Sequence, residues 1–269
     1  MKILSDGGST KVEWVLSDKG QEIMRCTSKG INPSLLSKEE ITAELELVVR
    51  DNPELLQATE IEYYGAGCTP SASPIMENCL RSIFYNVSKA IVGSDIIGAA
   101  KALLGNSEGI ACILGTGANS CLWNGHDIVR QTPALGFILG DEGSGAVLGK
   151  LLVNALYKGM LPQTLREAFE HEYQTDMMDV ISHVYRQPQP NRWLASLSPF
   201  VHKHLDDPEM EQLVCSNLEA FIVRNILPYQ RPELAVSFVG SIAYYYERQL
   251  RKVAGRHNIL IGKIIKSPL

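Results

Sequence analysis

The chain has no CxxC pair, no dense cluster of lysine and arginine, and no apolar run approaching the ~20 residues of a membrane-spanning helix. Each absence removes a class of function. Six cysteines (Cys26, Cys68, Cys79, Cys112, Cys121 and Cys215) are scattered singly through 269 residues. They read as small buried hydrophobes rather than as a disulfide framework or a cysteine-ligated cluster. The lone H-x-H, His202 and His204, falls where a helix is expected, and positions two apart on a helix point apart. A net charge of −5 without a basic stripe argues against nucleic acid as a partner. The opening MKILSDGG holds one lysine and a short strand, too brief for the apolar core of a signal peptide, so a cytoplasmic protein is expected. Two glycine signatures also fail. A dinucleotide fingerprint needs G-x-G-x-x-G running into a helix, whereas Gly115-Thr116-Gly117 has Ser120 at the third position and enters the strand CLW. The nearest match to a P-loop, Gly145 to Gly149-Lys150-Leu151, is one spacer short and ends on leucine, and reads as helix interior.

What remains is a globular composition, 45% apolar and 20% charged, at a length that suits two domains of roughly 100–150 residues. Two glycine-rich loops stand about a hundred residues apart. The first carries Asp6, Gly7, Gly8, Ser9, Thr10 and Lys11 at its tip; the second carries Gly115, Thr116, Gly117, Ala118, Asn119 and Ser120. In each, an apolar strand enters the glycines, a second strand leaves, and a turn (Asp18-Lys19-Gly20, Asn124-Gly125) starts a third. Glycines permit close backbone approach, so several N–H groups can face one anion, with Ser9, Thr10, Thr116 and Ser120 adding hydroxyls. After the first meander (2–5, 11–17, 21–26) come a helix at 38–50, a strand at 61–67, a helix at 74–86, a strand at 90–93 and a helix introduced by Ser94-Asp95. The second half repeats the meander at 109–130, then runs through GFILGDEGS (136–144) into a helix ending near Lys158. Residues 163–228 are helical without a counterpart and read as an insertion; a strand at 233–243, a helix at 242–254 and a strand at 258–265 complete the repeat. The reading is an α/β fold of two related domains, 1–105 and 106–269, gripping one polyphosphate from two sides. That organisation is the one a nucleotide-dependent phosphotransferase uses.

With both loops, GDEGS (140–144) and FVGS (238–241) in this order, the sequence resembles the actin-like ATPase superfamily of hexokinase, glycerol kinase and the heat-shock ATPases. More narrowly it resembles the N-acetylglucosamine kinase branch and the related activating ATPases of acyl-CoA reductases and dehydratases. The resemblance covers nearly the whole chain, and S-D-x-x-G-A-A (94–100), GTGANS (115–120) and GDEGS are its more specific motifs. It implies two ribonuclease H-like domains with an interdomain nucleotide and sugar cleft and a helical insertion in the second. It implies ATP and Mg²⁺, a small sugar as partner, and admits a homodimer. Asp6, Gly7, Gly8, Ser9, Thr10 and Lys11 match the first phosphate loop, with Asp6 orienting magnesium through water. Gly115, Thr116, Gly117, Ala118, Asn119 and Ser120 match the second, Thr116 also bordering the sugar, and Gly240-Ser241 match the adenosine motif. Asp95 takes the place of the catalytic aspartate beside the sugar, and Asn32 and Asp141 match sugar-binding residues.

Chemistry speaks to these positions independently. A carboxylate at the end of a buried strand and the start of a helix is held rigidly, and its reference pKa near 3.9 leaves it ionised to orient a hydroxyl and accept its proton late. Asp95 is equally suited to a plain helix cap worth ~1 kcal/mol. Asp141 and Glu142 precede a helix, where carboxylates are favoured by the dipole alone. Asn32-Pro33 also starts turns well. Lys11 either contacts phosphate or sits exposed on its strand, and Trp14 and Trp123 read as packing residues. The branch often carries Gly-Trp before GDEGS, where this chain has Ala134-Leu135-Gly136-Phe137; GAGCTPSA (65–72) replaces its serine-glycine turn. The chain stops at Ser267-Pro268-Leu269, soon after its last strand, where relatives usually add a helix. The leading expectation is ATP-dependent phosphorylation of an amino sugar, N-acetylglucosamine at its 6-hydroxyl first. One alternative is an ATP-driven activator of a redox enzyme, for which Cys112 and Cys121, on adjacent strands, make a poor cluster platform. The other is a sugar or nucleotide sensor, which would not need Asp6, Asp95 and Asp141; no DNA-binding helix pair precedes the first strand, and the cysteine-rich zinc motif of repressor-related sugar kinases is missing.

Overall fold

The computed structural model describes residues 1–8 and 10–269. The chain divides into two compact units, Met1–Ala102 with Pro268–Leu269, and Leu103–Ser267. The first unit runs β1 (Lys2–Gly7), β2 (Lys11–Asp18), β3 (Gln21–Lys29), α1 (Lys38–Asp51), β4 (Glu60–Gly65), α2 (Ser73–Ile83), β5 (Lys89–Ser94) and α3 (Asp95–Leu104). Its sheet has the order β3-β2-β1-β4-β5, with the three meander strands antiparallel and β1, β4 and β5 parallel. Lys19 and Gly20 both take positive φ (48° and 84°), the geometry that lets a two-residue turn follow the twist of β2 and β3. One face of the sheet buries Ile3, Val12, Trp14, Leu16, Ile61 and Tyr63 against α1 and α2. A capping box between Ser37 and Glu40 starts α1.

The second unit runs β6 (Glu108–Leu114), β7 (Ala118–Asn124), β8 (Ile128–Thr132), α4 (Gly136–Leu139) and α5 (Gly145–Tyr157). There follow α6 (Gln163–Tyr173), α7 (Met177–Tyr185), α8 (Pro190–Ala195), α9 (Ser198–Lys203) and α10 (Pro208–Phe221). The last of these continues into a π turn, Ile222–Ile226, and a 3₁₀ turn, Leu227–Tyr229. Then come β9 (Val236–Val239), α11 (Ser241–Tyr245), α12 (Glu247–Arg256) and β10 (Ile261–Ile265). The sheet order is β10-β9-β6-β7-β8, the same arrangement as in the first unit once β6 stands for β1 and β9 and β10 for β4 and β5. The internal repeat is therefore a repeat of topology. Residues 145–151 form the first two turns of α5 rather than a phosphate loop, as the failed P-loop match predicts. The helix expected at 242–254 is divided at Tyr246, whose ring is buried and whose hydroxyl donates to the Ser198 carbonyl at 2.6 Å. Among the described residues, no helix is long and apolar enough to cross a membrane.

Candidate active-site residues on the two sheets

In the first unit the parallel strands stop level. Asp6 lies opposite Tyr64, and Tyr64 opposite Gly93; Gly7, Gly65 and Ser94 form the next row. Each strand then delivers something different at this edge: β1 the first glycine loop, β4 the 65–72 loop, β5 the residue Asp95. Asp95 opens α3, and its Oδ1 accepts the backbone N–H of Ile96 at 2.8 Å. Gly98, one turn on, lets α3 close onto the sheet, since a Cβ there would stand 2.6 Å from the Tyr64 Cβ. Tyr64 in turn takes a hydrogen bond from Lys101 at 2.5 Å. The glycine of S-D-x-x-G-A-A thus has a packing reason.

Asp6 faces Glu13 across the β1–β2 ladder. Burial pushes the Asp6 carboxyl up to about 7, the negative charges of Asp95 and Glu13 push the same way, and Lys11 opposes them. Lys11 shares this face of β2, its ammonium 3.6 Å from Glu13, and Arg25 also pairs with Glu13. Tyr63 fills the space behind the loop: a Cβ on Gly7 or on Gly65 would run into its ring, and its hydroxyl donates to the Ile31 carbonyl at 3.3 Å. Burial and then the Asp95 charge drive the Cys68 thiol up to about 12. Asn32 is tied to the 65–72 loop. Its Oδ1 accepts the Ser34 N–H at 3.0 Å, Ser34 Oγ donates to the Gly67 carbonyl at 2.7 Å, and a Cβ on Gly67 (φ +78°) would overlap the Asn32 carboxamide. Asp6, Gly7, Gly8, Thr10, Lys11, Asn32 and Asp95 are therefore all placed by one sheet edge and its loops; Ser9 lies outside the described residues.

In the second unit the corresponding edge carries Gly115, Thr116 and Gly117. The Gly115 N–H donates to the Gly117 carbonyl at 3.0 Å, while Gly145 and Ala146, starting α5, donate to the carbonyls of Gly115 (2.8 Å) and Thr116 (3.1 Å). Asp141 has φ +56°, its N–H bonds the Ala134 carbonyl and its carbonyl takes the Ser144 N–H. A Cβ on Gly117 would stand 3.0 Å from Asp141 Oδ2, so the carboxylate lies directly over the loop. Gly240 (φ +122°) ends β9 against the Leu114 carbonyl and Gly115 nitrogen, and Ser241 begins α11. Gly240→Ala should cost more than ~2 kcal/mol, through a strained φ and a backbone clash, and weaken nucleotide binding. Thermal unfolding together with nucleotide titration checks this; an unchanged melting temperature would contradict it.

One expectation changes. Ser120 is fully buried, its Oγ 2.8 Å from the Tyr229 hydroxyl and 3.3 Å from the Asn225 carbonyl it donates to, so it braces β7 and does not offer a hydroxyl to an anion. The Glu142 carboxylate accepts from Arg224 (2.7 Å) and from the Asn225 amide (3.4 Å). Trp14 and Trp123 are buried as expected. Asn217, missed in the sequence, is buried on α10, where it accepts the Gly143 N–H at 2.9 Å and donates to the Ser144 carbonyl at 3.2 Å. No local pattern marks an asparagine 74 residues from its partner.

No family model matches the sequence. A Porphyromonas gingivalis protein assigned as an N-acetylglucosamine kinase has a crystal structure 43% identical to this chain, with a TM-score of 0.98 over 100% of this chain and 95% of that one. The chain belongs to the N-acetylglucosamine kinase branch. An N-acetylmuramic acid/N-acetylglucosamine kinase of Clostridium acetobutylicum is 29% identical over 212 residues, 73% of this chain and 68% of that protein. A second protein assigned to the N-acetylglucosamine kinases, from Chromobacterium violaceum, shares the fold at 18% identity, with a TM-score of 0.73 over 97% of this chain and 94% of its own. For a member of this branch, two mixed five-stranded sheets presenting a glycine loop apiece are the expected frame.

Proposed function

We propose that the protein transfers the γ-phosphoryl group of ATP to the 6-hydroxyl of N-acetylglucosamine, with Asp95 as the base. The observation that carries this reading is the pairing of Asp6 and Asp95 at one sheet edge, close enough that the charge of Asp95 helps to raise Asp6. A half-buried carboxyl facing two further carboxylates is a site that a cation relieves, so the residues fit magnesium. Among the described residues no group of three or more His, Cys, Asp or Glu side chains is placed to hold a metal, which leaves water and phosphate oxygens as its other ligands. Magnesium would neutralise charge on the transferred phosphoryl group.

The chain's own residues supply the rest. Asp95 orients the sugar hydroxyl and takes its proton as the new P–O bond forms and the bond to ADP breaks. The backbone and hydroxyls of Gly7 to Thr10 and Gly115 to Gly117, with Lys11, hold phosphate oxygens; Gly240 and Ser241 receive the adenosine. Asn32, Asp141 and Thr116 meet the sugar. Because the Asn32 Oδ1 is spent on Ser34, its amide presents N–H donors, suited to a hydroxyl or carbonyl oxygen of the sugar.

A second substrate has a specific support: the Clostridium acetobutylicum relative is named for N-acetylmuramic acid as well. The activator reading has none, since Cys112 and Cys121 are fully buried. ADP release from Mg·ATP, measured across N-acetylglucosamine, N-acetylmuramic acid, N-acetylmannosamine, glucosamine and a blank, tests the proposal. Stimulation by N-acetylglucosamine with a phosphorylated product is expected; sugar-independent release or none would overturn it.

A further inference from the structure

The segment from Asp141 to Ala146 is held on two sides. On one, Gly145 and Ala146 are tied to the glycine loop at Gly115 and Thr116. On the other, α10 and its π turn grip every residue between Glu142 and Ser144: Asn217 holds Gly143 and Ser144, and Arg224 and Asn225 hold the Glu142 carboxylate. The π turn does more than this. Its opened backbone lets the Asn225 carbonyl accept from Ser120 Oγ on β7 (3.3 Å) and from Thr132 Oγ1 on β8 (3.2 Å). One inserted turn thus fixes GDEGS against the strands that carry the second glycine loop.

Asp141, beside Glu142, is a non-glycine residue in the left-handed region, a conformation held only where the surroundings impose it. The Glu142 side chain is 15% exposed and that of Arg224 67%, so the pair is anchored at the acid end and open at the base end. An ordinary surface ion pair of this kind adds little to stability. Its effect here is local: it neutralises a carboxylate next to Asp141 and pins the peptide between them.

We propose that Glu142 and Arg224 are a positioning pair that sets the Asp141 carboxylate over Gly117 for sugar binding. The inference rests on the reading of Asp141 as a sugar ligand. Its test is steady-state kinetics of Glu142→Gln, Arg224→Gln, the double variant, Arg224→Lys and Asp141→Asn, varying N-acetylglucosamine and ATP separately. Each single Gln variant should raise the sugar KM about tenfold while the ATP KM stays within roughly twofold. The double variant should be no worse than either single, because both remove one interaction, and Arg224→Lys should recover most of the loss.

A sugar KM unchanged in both Gln variants, with Asp141→Asn raising it, would overturn the positioning role and leave the reading of Asp141 intact. Damage in Glu142→Gln alone, with Arg224→Gln silent, would overturn it in favour of Glu142 as a ligand. Equal rises in both KM values with a lowered melting temperature would reduce the pair to a structural tie. A sugar KM untouched by Asp141→Asn would remove the premise and the inference together.

Discussion

Asp95→Asn should lower kcat for sugar phosphorylation by about 10²–10⁴, the span that a positioned base contributes. The reason to expect a clean result is geometric. Asp95 already uses Oδ1 to accept the Ile96 N–H, and an asparagine oxygen can do the same, so α3 keeps its first turn. Gly98 and Tyr64, which lock α3 to β4, are untouched. What disappears is the proton acceptor and one negative charge. Losing that charge relieves one of the two carboxylates that push Asp6 upward, so binding of Mg·ATP should persist or tighten. The ATP KM should move little, because the proposed contact of Asp95 is with the sugar hydroxyl, while loss of the proton acceptor lowers kcat and kcat/KM. Stopped-time assays of ADP formation, with nucleotide affinity measured by titration, separate the two effects. A kcat within tenfold of the wild type would mean that Asp95 is a helix cap and that the base is elsewhere.

The parts of this protein that are legible from sequence are those whose signal is local. A glycine loop between two β-branched or apolar runs, with Asp18-Lys19-Gly20 or Asn124-Gly125 closing the next turn, specifies its own meander, and both meanders are present. Asp95 at a strand-to-helix junction and Asp141 ahead of α5 are likewise readable, since each stands in a short motif. Ser120 misleads for the same reason. Its place in GTGANS suggests a hydroxyl for phosphate, but β-strand alternation turns it to the face where Tyr229 waits, 109 residues on. The insertion shows the limit of local reading. Its helices are visible in the sequence, while its purpose is not, because Asn217, Arg224 and Asn225 acquire their roles only from partners far along the chain. Tyr63 belongs to this group too: as an aromatic in a strand it signals core, and only the neighbouring Gly7 and Gly65 show that it supports a loop.

Asp6→Asn should abolish magnesium-dependent turnover and yet stabilise the protein without ligand at neutral and alkaline pH. The Asp6 carboxyl is pushed up to about 7 in the folded chain, first by burial and then by Asp95 and Glu13, from an ordinary value of 3.8. Between those two values the folded state binds more protons than the unfolded state. Stability therefore falls as pH rises from about 4 to about 7, and the deficit is complete above the folded value. Asparagine has no charge to desolvate or repel, so the variant escapes this loss. The gain at pH 8 should be about 1–3 kcal/mol, below the full conversion of the shift because neighbouring carboxylates share the strain, and it should shrink towards pH 4.5. Urea unfolding at both pH values measures it. Added magnesium with nucleotide should then stabilise the wild type more than the variant, since binding to the native state alone raises stability by mass action. A variant that is less stable at pH 8, or equally favoured at both pH values, would show that Asp6 carries no stored repulsion.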